Sequence, residues 1–102
     1  MICKSYNLFF DTISSRLRIS ILELLMQKPM CVNEISQALN EEQSKISHNL
    51  KKLAECHVID VKQQGKKRIY SLNKETIEPL MRLVEKHVQT YCGKECMKRG
   101  RK

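Results

Sequence analysis

The sequence predicts a mostly α-helical fold with a small β-hairpin wing: a winged helix-turn-helix of about five helices and two strands. Two short helical patterns, over residues 31–39 and 43–56, are separated by a tight turn, and two strand-like segments follow around Gly65. A basic hairpin directly after such a pair of helices is typical of this fold. A single domain of 102 residues has a modest core, so pairing with a second copy would add stability.

Apolar residues at helical spacing predict the first two helices. The first pattern consists of Ile2, Tyr6, Phe9 and Ile13. Ser5 stands where a cap for that helix belongs. The second pattern, that of a core helix starting near Ser14, consists of Leu17, Ile21, Leu24 and Leu25. Lys28-Pro29 ends it, because proline cannot continue a helix.

The next two patterns form the predicted helix-turn-helix. Cys31 and Glu34 have the spacing of a capping box, with cysteine where serine or threonine is usual. The stripe of the first of these helices is Val32, Ile35 and Leu39. The second helix runs from Gln43 to about Cys56, and its inward residues are Ile46, Leu50 and Leu53. Its polar residues are therefore expected on the opposite, outer face.

Alternating apolar and polar residues predict two strands, Val58–Gln63 and Arg68–Leu72, around a strongly basic turn over residues 64–67. Asn73 or Thr76 can start a final helix, which tolerates a proline near its first turn. The apolar positions of that helix are Leu80, Leu83, Val84, Val88 and Tyr91. We expect one DNA-binding and dimerisation domain over residues 1–92 and a basic, flexible tail over residues 93–102.

The positive charge is concentrated in two segments. The formal net charge is +8, with +5 in residues 43–72 and +4 in residues 91–102. Such local excess is expected for a protein with a polyanionic partner. No apolar run approaches the roughly 20 residues that span a bilayer, and residues 1–4 lack the pattern of a secretory signal. We therefore expect a cytoplasmic protein with no membrane partner.

The outer face of the second helix of the motif predicts DNA binding. Its N-terminal end carries short hydrogen-bonding side chains, and this end enters the major groove, where all four base pairs can be distinguished. The candidates there are Gln43, Ser44, Ser47 and His48. Basic residues on the helix and the hairpin tip would contact phosphates, which provides affinity rather than sequence preference. These candidates are Lys45, Lys51, Lys52, Lys66, Lys67 and Arg68.

Four stretches together resemble the ArsR/SmtB family: Phe9–Leu22, Cys31–Ile35, Gln43–Leu53 and Val58–Leu72. The resemblance covers residues from about 5 to 90. It implies a homodimeric winged-helix repressor, paired through its first and last helices, that releases its operator when a metal ion, a metalloid or an oxidant binds. Two copies of the Gln43 helix would then occupy major grooves one turn apart on an inverted repeat. The apolar first and last helices would also fit the core of a monomer.

The cysteines are candidate ligands for a thiophilic effector. Cys31 stands where many metal-responsive members of this family have a cysteine, but the arsenic-type pattern is Cys-Val-Cys, and here Asn33 replaces the second cysteine. The N-terminus of a helix favours a thiolate, which binds soft metals. The alternative is that Cys31 is a small buried hydrophobic residue. The i, i+4 spacing of Cys92 and Cys96 would place both sulfurs on one helix face.

Two thiolates are too few for tight binding, so we expect Cys31 or Cys3 to supply a third ligand to Cys92 and Cys96 for arsenite, zinc or cadmium. The pair Cys92 and Cys96 could also be incidental. Cys56, at the end of the recognition helix, is interpreted as structural.

Three hypotheses follow. The first is a sequence-specific transcriptional regulator, acting as a repressor, whose operator affinity is lowered by a metal or metalloid at the cysteines. The second keeps the fold but makes the thiols a redox or persulfide switch. The third is a non-sensing architectural winged-helix protein, whose DNA binding would fall steeply with salt for every DNA tested. The sequence contains no catalytic set or phosphate-binding glycine loop, so we do not expect an enzyme.

Overall fold

A computed structural model describes residues 5–92. Five helices and one antiparallel hairpin confirm the predicted winged helix-turn-helix. In chain order the elements are α1 (Tyr6–Ile13), α2 (Arg16–Gln27), α3 (Val32–Leu39), α4 (Gln43–Glu55), β1 (Ile59–Gln64), β2 (Lys67–Leu72) and α5 (Ile77–His87), which continues as a π-helical turn (Val88–Cys92). The predicted tail at residues 93–102, together with Ile2, Cys3 and Cys96, lies outside the described residues.

Serine caps begin the first two helices. The hydroxyl oxygen of Ser5 accepts a hydrogen bond from the Leu8 N–H at 3.2 Å, as the sequence predicted. Ser15 caps α2 in the same way, accepting from the Arg18 N–H at 3.0 Å. Each contact satisfies one of the N–H groups that a helix start leaves without an internal partner.

The hydrophobic core lies between α2, α3, α4 and the base of the hairpin. The three residues predicted to face inward from α4, Ile46, Leu50 and Leu53, have no exposed surface. The side chains packed with them are Ile21, Leu22, Leu25, Met30, Ile35, Val58, Ile59, Tyr70, Leu72 and Ile77. Because these three residues pack α4 against the core, the opposite face of the helix is held toward solvent.

The hairpin turn is tighter than predicted. Gln64 pairs with Lys67, so these two residues belong to the strands and only Gly65 and Lys66 form the turn. Gly65 has a φ of +61°, a backbone conformation that glycine adopts without steric cost. Only Ile59 of β1 is buried, and Val61 is 47% exposed, because the outer half of the hairpin extends beyond the core. This half is the wing.

A short β-bridge joins β2 to the residues that precede α3. The N–H of Met30 donates to the Tyr70 carbonyl at 3.0 Å, and the N–H of Tyr70 donates to the Met30 carbonyl at 2.8 Å. Both side chains are buried. The N-terminus of α3 is therefore fixed against β2, which places it beside the wing.

Two residues with left-handed backbone shape the ends of the helix-turn-helix. Asn40, after α3, has a φ of +56°, and the buried Ser36 hydroxyl donates to the Glu41 carbonyl across the turn. After α4, His57 has a φ of +61°, and the Val58 N–H donates to the Leu53 carbonyl at 3.0 Å. This is the pattern of a Schellman motif. It confirms that α4 ends before His57.

The terminal helices leave large apolar side chains in solvent. In α5 and its extension, Leu83 is 64% exposed and Tyr91 is 73% exposed. The further members of this exposed apolar set are Tyr6, Leu8 and Phe10 in α1 and Val84 and Val88 in the C-terminal segment. Only Ile77 of α5 is buried, so most of this helix does not enter the core of one chain. Within residues 5–92 no helix is long and apolar enough to cross a membrane.

Candidate nucleic-acid interface

All ten residues predicted to contact DNA are exposed, and they lie on two neighbouring elements, α4 and the wing. Seven lie on α4, Lys66 is in the hairpin turn, and Lys67 and Arg68 begin β2. The seven on α4 are Gln43, Ser44, Lys45, Ser47, His48, Lys51 and Lys52. We refer to these ten residues as the basic face.

A groove of about 680 Å³ connects the two parts of the basic face. Ser47 and Lys51 line it from α4, and Arg68 lines it from the wing. Glu55 and Tyr70 also line this groove. A surface in which a helix and a basic hairpin border one open groove can follow a nucleic-acid backbone while the helix N-terminus reaches the bases.

At the N-terminal end of α4, two of the candidate side chains have partners that the sequence did not predict. The Gln43 side-chain Nε2 donates to Oδ1 of Asn33, in α3, at 2.8 Å. The Lys45 ammonium lies 3.3 Å from the Glu41 carboxylate, in a surface ion pair. Such pairs contribute little to stability. The Lys45 charge is thus partly balanced before any DNA is bound.

Arg18, on α2, holds α4 in place and was missed as a positioning residue. Its Nε donates to Oδ1 of Asn49 at 2.8 Å, and its guanidinium also donates to the Thr12 carbonyl at 2.9 Å. The Asn49 amide in turn donates to the Lys45 carbonyl at 2.8 Å. One arginine therefore connects α1 and α2 to a half-buried side chain of the recognition helix. Arg18 and Asn49 are 31 positions apart, so no spacing pattern in the sequence predicts this contact.

The start of α3 is held by the capping contact that the sequence predicted. The Cys31 N–H donates to a Glu34 carboxylate oxygen at 3.0 Å. This hydrogen bond, helped by the charges of Lys28 and Lys67, lowers the pKa of the Glu34 carboxyl. Because folding lowers this pKa, the contact stabilises the folded chain at pH values above the usual pKa of a glutamate. This contribution disappears as the pH falls through the folded-state pKa.

Two of the candidate thiols lie at separate elements in the described part of one chain. Cys31 is buried at the N-cap of α3, as the small-hydrophobe interpretation expects, and Cys92 is half-buried at the end of the π-helical turn. Cys96, the third predicted ligand, lies outside the described residues. Among residues 5–92 no group of three or more histidine, cysteine or acidic residues is arranged to hold a metal ion. Cys56 packs against the core, with its sulfur 3.5 Å from the Thr12 hydroxyl oxygen.

The arrangement of α2, the helix-turn-helix and the first strand matches a known family. The family described as "Bacterial regulatory protein, arsR family" matches residues 15–61, which run from the cap of α2 into β1. Residues 15–61 are therefore similar to the ArsR family. The resemblance noted from the sequence is thereby confirmed, and the ArsR family is one of transcriptional regulators and not of enzymes.

Two curated relatives are similar to this chain. A transcriptional repressor SmtB homolog from Synechocystis is 26% identical over 81 residues, which are 79% of this chain. An arsenical resistance operon repressor from Staphylococcus xylosus is 26% identical over 75 residues, covering 74% of this chain and 72% of the relative. The aligned residues cover only 61% of the length of the Synechocystis relative.

A solved structure supports the fold independently. The NMR structure of the homodimeric winged helix-turn-helix DNA-binding domain of Mb0332 from Mycobacterium bovis, described as a possible ArsR-family regulator, superimposes with a TM-score of 0.75. The match covers 80% of this chain and 76% of the other, at 23% identity. At this identity the likeness establishes that the two chains share the winged-helix fold.

Proposed function

We propose that this chain is a DNA-binding transcriptional repressor that acts as a homodimer in the cytoplasm. The observation that carries the proposal is that α4 has one buried side and one exposed side. Its inner residues Ile46, Leu50 and Leu53 are fully buried, whereas all seven candidate DNA contacts on this helix are exposed. A recognition helix must be anchored on one side and free on the other.

The proposed contacts divide by chemistry. Gln43, Ser44, Ser47 and His48 at the N-terminal half of α4 would contact base edges in the major groove. The lysines of α4 and the three basic residues of the wing would contact phosphates. A homodimer with twofold symmetry would place two copies of α4 on the half-sites of an inverted repeat.

The proposed dimer would use the exposed apolar residues of the terminal helices. Leu83 and Tyr91 are more than half exposed in one chain. Burying large apolar side chains of this kind favours association with a second chain. The Mb0332 domain, which has the same fold, is described as homodimeric. The relatives from Synechocystis and Staphylococcus are named as repressors, which supports repression as the outcome of DNA binding.

Removing the charge of the wing tests the DNA-binding proposal. The triple variant Lys66→Gln, Lys67→Gln, Arg68→Gln is expected to bind a duplex selected by the wild-type protein about 30-fold more weakly at moderate salt, because lost phosphate contacts reduce counterion release. For the same reason the slope of log K against log salt should become shallower by about 1 to 2 per chain. Fluorescence anisotropy over a salt series measures both quantities.

A control variant with the same net charge distinguishes the loss of contacts at the wing from a general effect of lower positive charge. The triple variant Lys74→Gln, Arg82→Gln, Lys86→Gln removes two lysines and one arginine that are exposed near and along α5. It is expected to bind within about twofold of the wild type, because none of these three residues belongs to the basic face. Equal losses in the two triple variants would contradict the placement of DNA against the wing.

We further propose that a thiophilic metal or metalloid at Cys92 and Cys96, joined by Cys31, lowers DNA affinity. One relative is named as an arsenical resistance repressor, and arsenite, zinc and cadmium all bind thiolates. Of the three proposed ligands, Cys31 and Cys92 lie among the described residues of one chain, so a full ligand set requires Cys96 as well. A second chain in the proposed dimer would contribute further thiolates. When bound, such an ion would supply a cross-link between thiolates.

The test of this regulation is metal stoichiometry together with DNA affinity. The wild-type protein is expected to bind about one arsenite or zinc per set of three thiolates, with water as a fourth ligand for zinc. Binding is expected to lower DNA affinity about tenfold, a coupling of about 1.4 kcal/mol. Cys92→Ser/Cys96→Ser should lose both effects. Cys31→Ser should weaken them and Cys3→Ser should not, if Cys31 is the third ligand.

Different outcomes distinguish the alternatives. Release from DNA by an oxidant, with recovery in a reducing agent and no metal response, would replace the metal proposal by a redox switch. No response to either, with Cys92→Ser/Cys96→Ser equal to wild type, would leave a regulator that does not sense through these thiols. Weak binding to every duplex with the same salt dependence would indicate an architectural protein.

A further inference from the structure

The first residue of the recognition helix is hydrogen-bonded to the preceding helix through an amide pair. Nε2 of Gln43 donates to Oδ1 of Asn33 at 2.8 Å, and both side chains are exposed on the surface. Asn33 is the second residue of α3, and Gln43 is the first of α4. The contact therefore joins the starts of the two helices of the motif on their solvent side.

This hydrogen bond orients the end of a flexible side chain. A free glutamine rotates about three torsions, and its amide presents donor and acceptor in either order. With one Nε2 hydrogen used by Asn33, the acceptor Oε1 and the second Nε2 hydrogen of Gln43 remain available. That pair matches N6, a donor, and N7, an acceptor, on the major-groove edge of adenine.

The backbone that carries Asn33 is itself held in place. The Cys31 N–H is hydrogen-bonded to the Glu34 carboxylate on one side of Asn33. At the other end of α3, the Ser36 hydroxyl donates to the Glu41 carbonyl across the turn into α4. The backbone of Asn33 is thus held in place, and an acceptor carried by a held backbone reduces the ordering cost that Gln43 would otherwise incur when it binds a base.

We infer that Asn33 is a positioning residue for sequence recognition, which sets the Gln43 amide to bind an adenine in each half-site. The inference rests on the proposed DNA-binding function and adds to it a residue outside the recognition helix. In the sequence, Asn33 stands where the arsenic-type Cys-Val-Cys pattern has its second cysteine. Its place beside Gln43 gives this position a role in reading DNA.

The experiment compares base preferences. Wild-type protein selects its site from a random duplex library, and the affinities of variants are then measured on that site and on each single-base replacement. Gln43→Ala is expected to lose about fivefold to tenfold discrimination at one adenine per half-site, since a bidentate pair distinguishes bases by about that factor or more. Asn33→Ala should lose part of the same discrimination, by about threefold to fivefold, with unchanged affinity for non-specific DNA and an unchanged melting temperature.

A conservative variant separates positioning from direct contact. Asn33→Asp keeps an acceptor for Gln43 but adds a negative charge, so it should retain the preference at that adenine while binding every duplex more weakly. The double variant Asn33→Ala/Gln43→Ala should discriminate no less than Gln43→Ala alone, because the two residues act as one unit. Gln37→Ala, which removes an exposed amide from the same helix, is the matched control and should leave all preferences unchanged.

Two results would overturn the inference. Asn33→Ala with the same preference as wild type at every position would show that Gln43 needs no support, and additive losses in the double variant would show independent contacts. Failure of the wild-type protein to select any sequence would instead refute the proposed function. The selection with wild-type protein is therefore completed before any variant is measured.

Discussion

Leu83→Glu in α5 is expected to convert the proposed homodimer into folded monomers. Leu83 is 64% exposed in one chain, so a glutamate there is solvated and does not harm folding of the monomer. Across a twofold interface both chains would bury the new charge without a partner. The expected cost is about 4 kcal/mol, or roughly a 1,000-fold weaker dimer.

Sedimentation equilibrium over a range of protein concentrations measures this change, and circular dichroism checks that the helices remain. DNA affinity should fall as well, because a monomer binds only one half-site and loses the advantage of two linked contacts. Gln89→Glu introduces the same side chain at an exposed polar position of the same C-terminal segment and should remain dimeric. A Leu83→Glu protein with the wild-type dissociation constant would exclude the α5 face as the interface.

Leu50→Ala in α4 is expected to lower the free energy of unfolding by about 3 kcal/mol. Leu50 has no exposed surface and packs among the core residues from α2, α3 and β1, so its removal leaves a cavity under the recognition helix. Urea unfolding at one fixed protein concentration measures the loss, since the stability of a dimer depends on concentration.

The matched control lies two residues along the same helix. Lys52→Ala removes a longer side chain from the exposed side of α4 and should change the free energy of unfolding by less than about 0.5 kcal/mol. DNA affinity should show the reverse order when both proteins are measured well below their unfolding midpoints, with the larger loss in Lys52→Ala. Equal destabilisation by both substitutions would mean that α4 is not anchored through Leu50.

The elements of this fold could be predicted because each has a local cause. The spacing of Ile46, Leu50 and Leu53 makes α4 one-sided, and burial of all three follows from it. Ser5 and the Lys28-Pro29 pair mark helix boundaries through capping and through the missing proline N–H. The resemblance to the ArsR family followed from the same segments, and the family match extends over residues 15–61.

The exact hairpin turn was not predicted, for a reason that is also local. Gln64 and Lys67 are polar residues that occur in turns and in exposed strands alike, and only their pairing in the sheet assigns them to the strands. The alternation of residues in β1 predicted a half-buried strand. The core reaches only Ile59, so Val61 stays exposed.

Contacts between distant residues depended on the tertiary structure. The bridge between Met30 and Tyr70 joins segments 40 positions apart and sets the wing beside α3. Arg18 reaches Asn49 because α2 and α4 contribute to the same core. A polar side chain has many partners of suitable chemistry in the chain, and which of them it meets is decided by the packing of the helices.

By itself, the sequence determined the order of the elements, the inner face of the recognition helix and the ten exposed residues proposed to bind DNA. These depend on periodicity, turn residues and charge, which act over a few neighbouring positions. Only the tertiary structure decided that Cys31 is buried, that Asn33 holds Gln43, and that most of α5 remains outside the core of one chain. Burial and hydrogen-bond partners depend on which surfaces pack together, and that is a property of the whole fold.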